Sequence, residues 1–201
     1  MKPCILDLFC GAGGAAMGYH NAGFDLVGVD IEPQPNYPFT FIEYDAIAFL
    51  EEFGSLLHRR WDAIHASPPC QAYSVATKWR GDPSSHPDLL EPTRDLLKEI
   101  GLPWVIENVP GAPMTPDVVL CGSMFDLQVR RHRLFLSNVP IFDLMPSCRH
   151  RGLLAFEHKQ ERAYADAMGC DWMTSVEARN AIPPAYTQWI GERLLEHLGA
   201  S

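Results

Sequence analysis

The feature that most constrains this chain is a glycine cluster closing an apolar run near its start. "CILDLF" (Cys4 to Phe9) runs into "CGAGG" (Cys10 to Gly14), and "AAMGYHNAG" then has helical character up to Gly23. Glycine takes positive φ without steric penalty, so this is a tight strand-to-helix turn. It also leaves room for a ligand against the main chain at a helix N-terminus. "DLVGVD" (Asp25 to Asp30) is a second strand, and "EYDAIAFLEEF" is a turn followed by a helix. "WDAIHAS" and "PWVIENV" are further strands, with the proline-rich loop 72–92 and the helix "TRDLLKEIG" between them. "RRHRLFLSNV" predicts another strand, 140–160 is irregular, and "RAYADAMG" and "AYTQWIGERLLEHLG" are helical. Strands alternating with helices predict an α/β fold with a mostly parallel, doubly wound sheet covered on both faces. The alternation runs nearly end to end, so residues 1–201 are read as one domain.

Bulk properties limit the function classes. The chain has 201 residues, 47% hydrophobic and 20% charged, and a net charge of −9. A protein gripping duplex DNA through many phosphates carries a basic surplus, so any nucleic-acid contact here must be local. The concentrated basic spots are "VRRHR" (Val129 to Arg133) and "CRHR" (Cys148 to Arg151). No apolar run approaches the roughly 18 residues of a membrane span, and the first residues lack the pattern of a signal peptide. A cytoplasmic address is expected. The six cysteines show no CxxC spacing, which argues against a disulfide framework or a zinc ribbon. Cys148, His150 and His158 would need one more ligand to hold a metal and lack the paired spacing of structural sites, so no metal is expected.

Several residues sit where open α/β sheets place their chemistry, at strand ends. Gly11, Gly13 and Gly14 form the turn. Asp30 ends the second strand, where a carboxylate can accept both ribose hydroxyls of a nucleoside cofactor. Asp45 is placed to meet an adenine amino group. In "ASPPCQAYS" two prolines stiffen the loop holding Cys70, which read alone is equally a reactive thiol or a small buried hydrophobe. Glu107 follows Trp-Val-Ile, either at the mouth of a site or as a costly buried charge. Arg131 and Arg133 alternate with His132, so on a strand both point to one face, toward a substrate or as the charged guard of an edge.

The ordered set "DLFCGAGG", "PPCQAYS", "IENVPG" and "RRHRLF" resembles the cytosine-5 DNA methyltransferase family. "ADAMGCDWM" and "RNAIPPAYTQWIGERL" resemble its closing motifs, so the likeness extends in order over essentially the whole chain. The resemblance implies a Rossmann-like fold binding S-adenosyl-L-methionine and releasing S-adenosyl-L-homocysteine. It makes Cys70 the nucleophile toward carbon 6 of cytosine and Glu107 the partner of N3 and the exocyclic amine. Arg133 would contact O2, and Arg131 would position the base and the Cys70 loop. The cofactor pocket would be lined by Asp7, Phe9, Gly11, Gly13, Gly14, Asp30, Ile31, Asp45, Pro68, Asn180, Ala181 and Ile182. Gln71, Ser74, Asn108 and Arg130 would contact the substrate.

The sequence departs from the family pattern at Val129, where a glutamine is usual, and at Arg179, where a glycine is usual. Between the arginine motif and the closing motifs lie only residues 134–162, a reduced recognition segment in place of a full recognition domain. Methylation of DNA cytosine with little or short sequence context is therefore expected, with a separate recognition protein as one possible partner. A compact version suits a phage or mobile-element enzyme, or one of restriction-modification type. The alternatives are a free cytidine nucleotide such as dCMP as substrate, or a non-catalytic accessory subunit.

Overall fold

A computed structural model describes residues 2–69, 88–141, 145–155 and 161–199. The expectations for Cys70, Gln71, Ser74, His158 and the 72–87 part of the 72–92 loop lie outside these residues.

β1 (Cys4–Leu8) leads through the glycine turn into α1 (Gly14–Ala22), and β2 (Asp25–Asp30) follows. Then come β3 (Thr40–Glu43), α2 (Ala46–Phe53), a 3-10 turn (Gly54–Arg59) and β4 (Ala63–Ala66). α3 (Leu90–Ile100) precedes β5 (Trp104–Asn108), β6 (Val118–Cys121), a second 3-10 turn (Gly122–Phe125) and β7 (His132–Ser137). The chain closes with α4 (Glu161–Met168), the one-turn α5 (Ser175–Ala178) and α6 (Pro184–His197).

One seven-stranded sheet has the order β3-β2-β1-β4-β5-β7-β6. The pairings from β3 through β5 are parallel, whereas β7 runs antiparallel to both β5 and β6. The winding direction reverses between β1 and β4, the position at which open α/β sheets leave a crevice beyond the strands' C-terminal ends. Because β7 is antiparallel, its beginning lies at that same edge: Asn108, which ends β5, pairs with Leu134.

The strand residues divide between two cores with period two, as a sheet covered on both faces requires. Ile5, Ala63 and Val105 pack with Tyr19, Tyr186, Ile190 and Leu194 of α1 and α6. Leu6, Leu8, Ile64 and Ile106 pack with Phe49, Leu50 and Leu97 of α2 and α3. A third cluster joins Tyr164, Met168, Met173 and Ala178 of the α4–α5 region to Ala12 and Val129, which brings the C-terminal segment over the glycine turn. α1 and α6 approach closely because Gly18 has no side chain. A Cβ there would lie 2.1 Å from the Pro184 oxygen.

Two strands lacked a sequence signal. β3 and β6 are four-residue edge strands of mixed exposure, so neither carries the apolar run that marks an interior strand. β7 begins at His132, two residues later than expected, and α3 begins at Leu90 with Pro92 in its first turn, where a missing N–H is harmless. Of the span 134–162, residues 134–137 complete β7 and 161–162 open α4.

Candidate active site

A cavity of about 420 Å³ lies at the C-terminal edge of the sheet, over the β1–β4 crevice. Its first wall is the glycine turn, and that turn is unusual in its backbone. Phe9 adopts φ 56°, a left-handed conformation costly for an aromatic residue and frequent at functional sites. Gly11 and Gly13 follow at φ 48° and 83°. Gly14 and Ala15, the first residues of α1, border the cavity, so its unpaired N-terminal amides lie at the wall. A Cβ on Gly14 would lie 2.5 Å from the Ile182 oxygen, so the segment 180–182 can close the opposite wall only over a glycine.

Asp30 holds this wall together. Its Oδ2 accepts from the Gly11 amide at 2.9 Å and its Oδ1 from the Glu32 amide at 3.1 Å. A carboxylate has about four acceptor positions, so Asp30 keeps capacity for ligand hydroxyls. Ile31, beside it on the cavity wall, is 60% exposed although apolar, which suits a residue covering a planar ligand. On the cavity floor, Asp7 is buried with neither carboxylate oxygen hydrogen-bonded among the described residues. Burial, then the neighbouring Asp30 charge, pushes its carboxyl well above the usual range, and a weaker influence of the Tyr37 hydroxyl opposes this. An orphaned buried acceptor beside an open cavity favours a donor or cationic group from a ligand. These features fit a nucleoside-containing cofactor with a positively charged end.

The far wall carries acid–base chemistry. Arg133 Nε stands 2.7 Å from Glu107 Oε1, with side chains only 10% and 8% exposed. The contact is an ion pair by distance but is not aligned as a hydrogen bond, and NH1 of Arg133 donates to the His132 carbonyl at 2.9 Å. Burial raises the Glu107 carboxyl above its usual range, opposed by the charges of Arg133 and Arg131 and by Ser67. Glu107 therefore retains a proton to higher pH than an exposed carboxyl, as a group meant to share a proton with a ligand should.

Other anticipated residues support this wall without lining it. Asn108 is buried and donates through Nδ2 to the Pro68 carbonyl at 3.2 Å, while its Oδ1 accepts from the Val109 amide at 2.8 Å. It fixes the backbone two residues before Cys70 rather than facing the cavity. Arg131 also turns away: its guanidinium donates to Tyr164 Oη at 2.9 Å and to the Arg179 carbonyl at 2.8 Å. Arg131 is thus anchored to the α4–α5 region while Arg133 meets Glu107, although the Arg131 charge still acts on Glu107. Asp45 is exposed, caps α2 through the Ala48 amide at 2.8 Å, and does not border the cavity. Gly13 caps α1 against Tyr37 and Pro38, and Arg130 is exposed away from the cavity wall. Pro68, Asn180, Ala181 and Ile182 do border it. The "VRRHR" spot is not a basic surface, because Val129, Arg131 and Arg133 are all buried.

Sequence reasoning missed several wall residues. Ser67 Oγ lies 3.0 Å from His65 Nε2, and the Tyr19 hydroxyl lies 3.0 Å from Nδ1, so one neutral imidazole bridges two hydroxyls. A histidine inside an apolar strand was the available signal. Glu177 lines the cavity while forming a capping box with Thr174 and accepting from Asn36 Nδ2 at 3.0 Å. The "TSVE" spacing of that box was readable. Met173 and Glu32 carried no comparable signal.

Known proteins related to this chain identify its family and fold. The model of the family described as C-5 cytosine-specific DNA methylase matches residues 4–116, more than half of the chain. The chain is 35% identical over 100 residues to the type II methyltransferase M1.HphI of Haemophilus parahaemolyticus, covering 43% of this chain and 27% of that protein. It is 32% identical over 125 residues to M.AquIA of a Picosynechococcus species, covering 55% of this chain and 50% of that protein. The chain thus spans half or less of the length of these relatives. Among solved structures, the Dnmt2 methyltransferase of S. pombe superimposes with a TM-score of 0.65 at 14% identity, over 98% of this chain and 99% of that one. That likeness concerns the fold.

Proposed function

Since the chain belongs to the C-5 cytosine-specific DNA methylase family, we propose that it transfers a methyl group from S-adenosyl-L-methionine to carbon 5 of cytosine in DNA. The observation that carries this reading is the buried Glu107–Arg133 pair on the same cavity as the Asp30-stitched glycine turn. One cavity then holds a nucleoside-binding wall and, opposite it, a carboxyl with a raised pKa beside a guanidinium. When bound, the cofactor supplies an electrophilic methyl group on a sulfonium centre. Asp30 would accept the ribose hydroxyls of the bound cofactor, and Asp7 would face its positively charged end.

Cytosine is a poor electrophile, and covalent addition divides one hard step into easier ones. Glu107 hydrogen-bonds N3 and the exocyclic amine and shares its proton with N3, which draws electron density from carbon 6. Arg133, held by Glu107, directs a donor to O2. The Cys70 thiolate would add to carbon 6, and the electron pair released toward carbon 5 would form the bond to the methyl carbon as the S–CH3 bond breaks, its electrons staying on the sulfur of S-adenosyl-L-homocysteine. A base removes the carbon 5 proton, the thiolate leaves carbon 6, and the aromatic ring is restored. Asn108 sets where the Cys70 loop departs from the sheet by holding the Pro68 carbonyl. In duplex DNA the base must first be flipped out of the stack, at a cost of a few kcal/mol.

We take residues 1–201 as one catalytic domain and the stretch between β7 and α4 as a reduced recognition segment, reading little or short sequence context. The test is incubation of the protein with labelled S-adenosyl-L-methionine and either unmethylated DNA or dCMP, beside Cys70→Ser. Label should enter DNA with the parent protein and not with the variant. Label in dCMP alone would replace the substrate assignment, and none in either would reject the enzymatic one. DNA carrying 5-fluorocytosine should form a stable adduct that Cys70→Ser does not.

A further inference from the structure

Away from the cavity, four side chains with metal-ligating chemistry converge at the edge of the sheet: Cys121, His132, Cys148 and His150. One ligand atom from each lies within 4.8 Å of all the others. Cys121 ends β6 and His132 begins β7, and the two are directly paired in register across the antiparallel ladder. Side chains at such positions leave the same face of the sheet close together. Cys148 and His150 come from the irregular segment that follows β7, separated by one residue. The sequence groups Cys148 and His150 with His158, which lies outside the described residues; among the described residues the folded chain joins them to a cysteine and a histidine distant in sequence.

The geometry points to a structural zinc site, and we propose that Cys121, His132, Cys148 and His150 bind one Zn²⁺ tetrahedrally. With Zn–S near 2.3 Å and Zn–N near 2.0–2.1 Å, a tetrahedral centre separates S from N by about 3.5 Å. Cys121 Sγ lies 3.5 Å from His150 Nε2, and Cys148 Sγ lies 3.6 Å from His132 Nε2. Both histidines thus present the same ring nitrogen, and their planes cross at 86° with centroids 4.9 Å apart. Perpendicular rings let two nitrogen lone pairs meet at one point without the rings colliding. An S₂N₂ tetrahedral set is the donor chemistry zinc prefers. On binding, the two thiols release their protons and the two thiolates balance the charge of the ion, so the half-buried centre is neutral.

An outer partner is already in place. Ser123 Oγ donates to Cys121 Sγ at 3.6 Å and accepts from the Arg149 amide at 2.9 Å, linking a ligand on β6 to the segment bearing the other two. Such contacts orient ligands and temper thiolate charge. The same segment is pinned at its far end, where the Arg130 amide donates to the Leu154 carbonyl at 2.8 Å and the Leu154 amide to the Gln128 carbonyl at 3.0 Å. Between these points it contributes little apolar burial, so a metal clip would supply the stability a core does not. His132 lies between Arg131 and Arg133 in sequence, and the clip would therefore also steady the start of β7, where both arginines are anchored. The site stands apart from the cavity and does not depend on the activity proposed above.

The test is metal analysis of the whole chain, purified under reducing conditions from zinc-containing medium, with cobalt(II) added to the zinc-free protein. One zinc per chain is expected. Cobalt should give the visible bands of a tetrahedral ion together with a thiolate charge-transfer band. His150 is exposed, so His150→Ala should keep the fold, checked by circular dichroism, and lose most of the zinc. Cys148→Ser should do the same, while Cys4→Ser, remote from the cluster, should bind one zinc. Absence of zinc and of a cobalt spectrum would leave only thiol–imidazole hydrogen bonds and overturn the proposal. So would a Cys121–Cys148 disulfide, seen as a mass two hydrogens lighter, or unchanged zinc content in both ligand variants.

Discussion

Arg133→Met tests whether the acid of the candidate site is held by its ion pair or merely by packing. Methionine keeps much of the aliphatic volume and removes the charge 2.7 Å from Glu107. Both side chains are about nine-tenths buried. Removing one partner of such a pair leaves an uncompensated charge and costs about 3–5 kcal/mol. The loss should depend on pH in a defined direction. Burial already raises the folded-state pKa of Glu107 and Arg133 opposes that rise, so the variant's carboxyl must titrate higher still. An acid whose folded pKa is raised contributes stability that is present below its unfolded value and lost as pH rises through the folded one. The variant should therefore lie closest to the parent in acid. The gap should widen by up to about 1.4 kcal/mol per pH unit between the two folded-state pKa values, reaching its full size in alkali. Urea unfolding at pH 5.5 and pH 8 measures this, with Glu107→Gln and the double variant completing a cycle. The double variant should be less destabilised than the sum of the single ones, because it strands no charge. An Arg133→Met loss independent of pH, together with additive single losses, would refute the assignment of a buried, charge-coupled pair.

Two further outcomes follow from close contacts. Gly14→Ala would place a Cβ 2.5 Å from the Ile182 oxygen and 3.1 Å from its nitrogen, forcing the 180–182 wall outward. Overpacking of this kind costs about 1–3 kcal/mol, or roughly 2–12 °C in Tm for a chain of this length; binding of S-adenosyl-L-homocysteine by calorimetry should weaken as well, and an unchanged Tm and affinity would contradict the contact. His65 is fully buried and desolvation lowers its pKa to about 3, so the unfolded chain takes up this proton first, near the ordinary value of about 6.5. Stability should fall as pH drops from about 6.5 toward 3, by up to about 1.4 kcal/mol per unit from this residue. His65→Gln should flatten the dependence of the urea midpoint between pH 7 and pH 5, and an identical slope would show that His65 does not remain neutral in the folded state.

Much of the fold was legible because it is locally encoded. Apolar runs marked β1, β2, β4 and β5, and the glycines marked the turn into α1, since interior strands and positive-φ turns restrict residue type at each position. Edge strands β3 and β6 were not legible, because a four-residue strand with one side toward solvent needs no continuous apolar run. The direction of β7 was also hidden: nothing within "RRHRLFLSNV" distinguishes a parallel from an antiparallel neighbour. Its antiparallel course is nevertheless what brings Arg133 to the same sheet edge as Glu107.

The candidate site divides in the same way. Residue type and strand-end position pointed to Asp30, Glu107, Arg133 and the glycine turn, all of which border one cavity. Whether a polar residue faces that cavity or is consumed elsewhere was decided only by tertiary structure. Arg131 is tied to Tyr164 and the Arg179 carbonyl, Asn108 to Pro68, and Asp45 to the first turn of α2. The Cys121–His132–Cys148–His150 cluster makes the point most sharply. Its paired spacing exists across a ladder and a loop instead of along the chain. The sequence by itself determined which residues could do chemistry, because side-chain chemistry is local. Only the folded chain decided which of them meet, because the distances between residues far apart in sequence are set by sheet order, strand direction and packing.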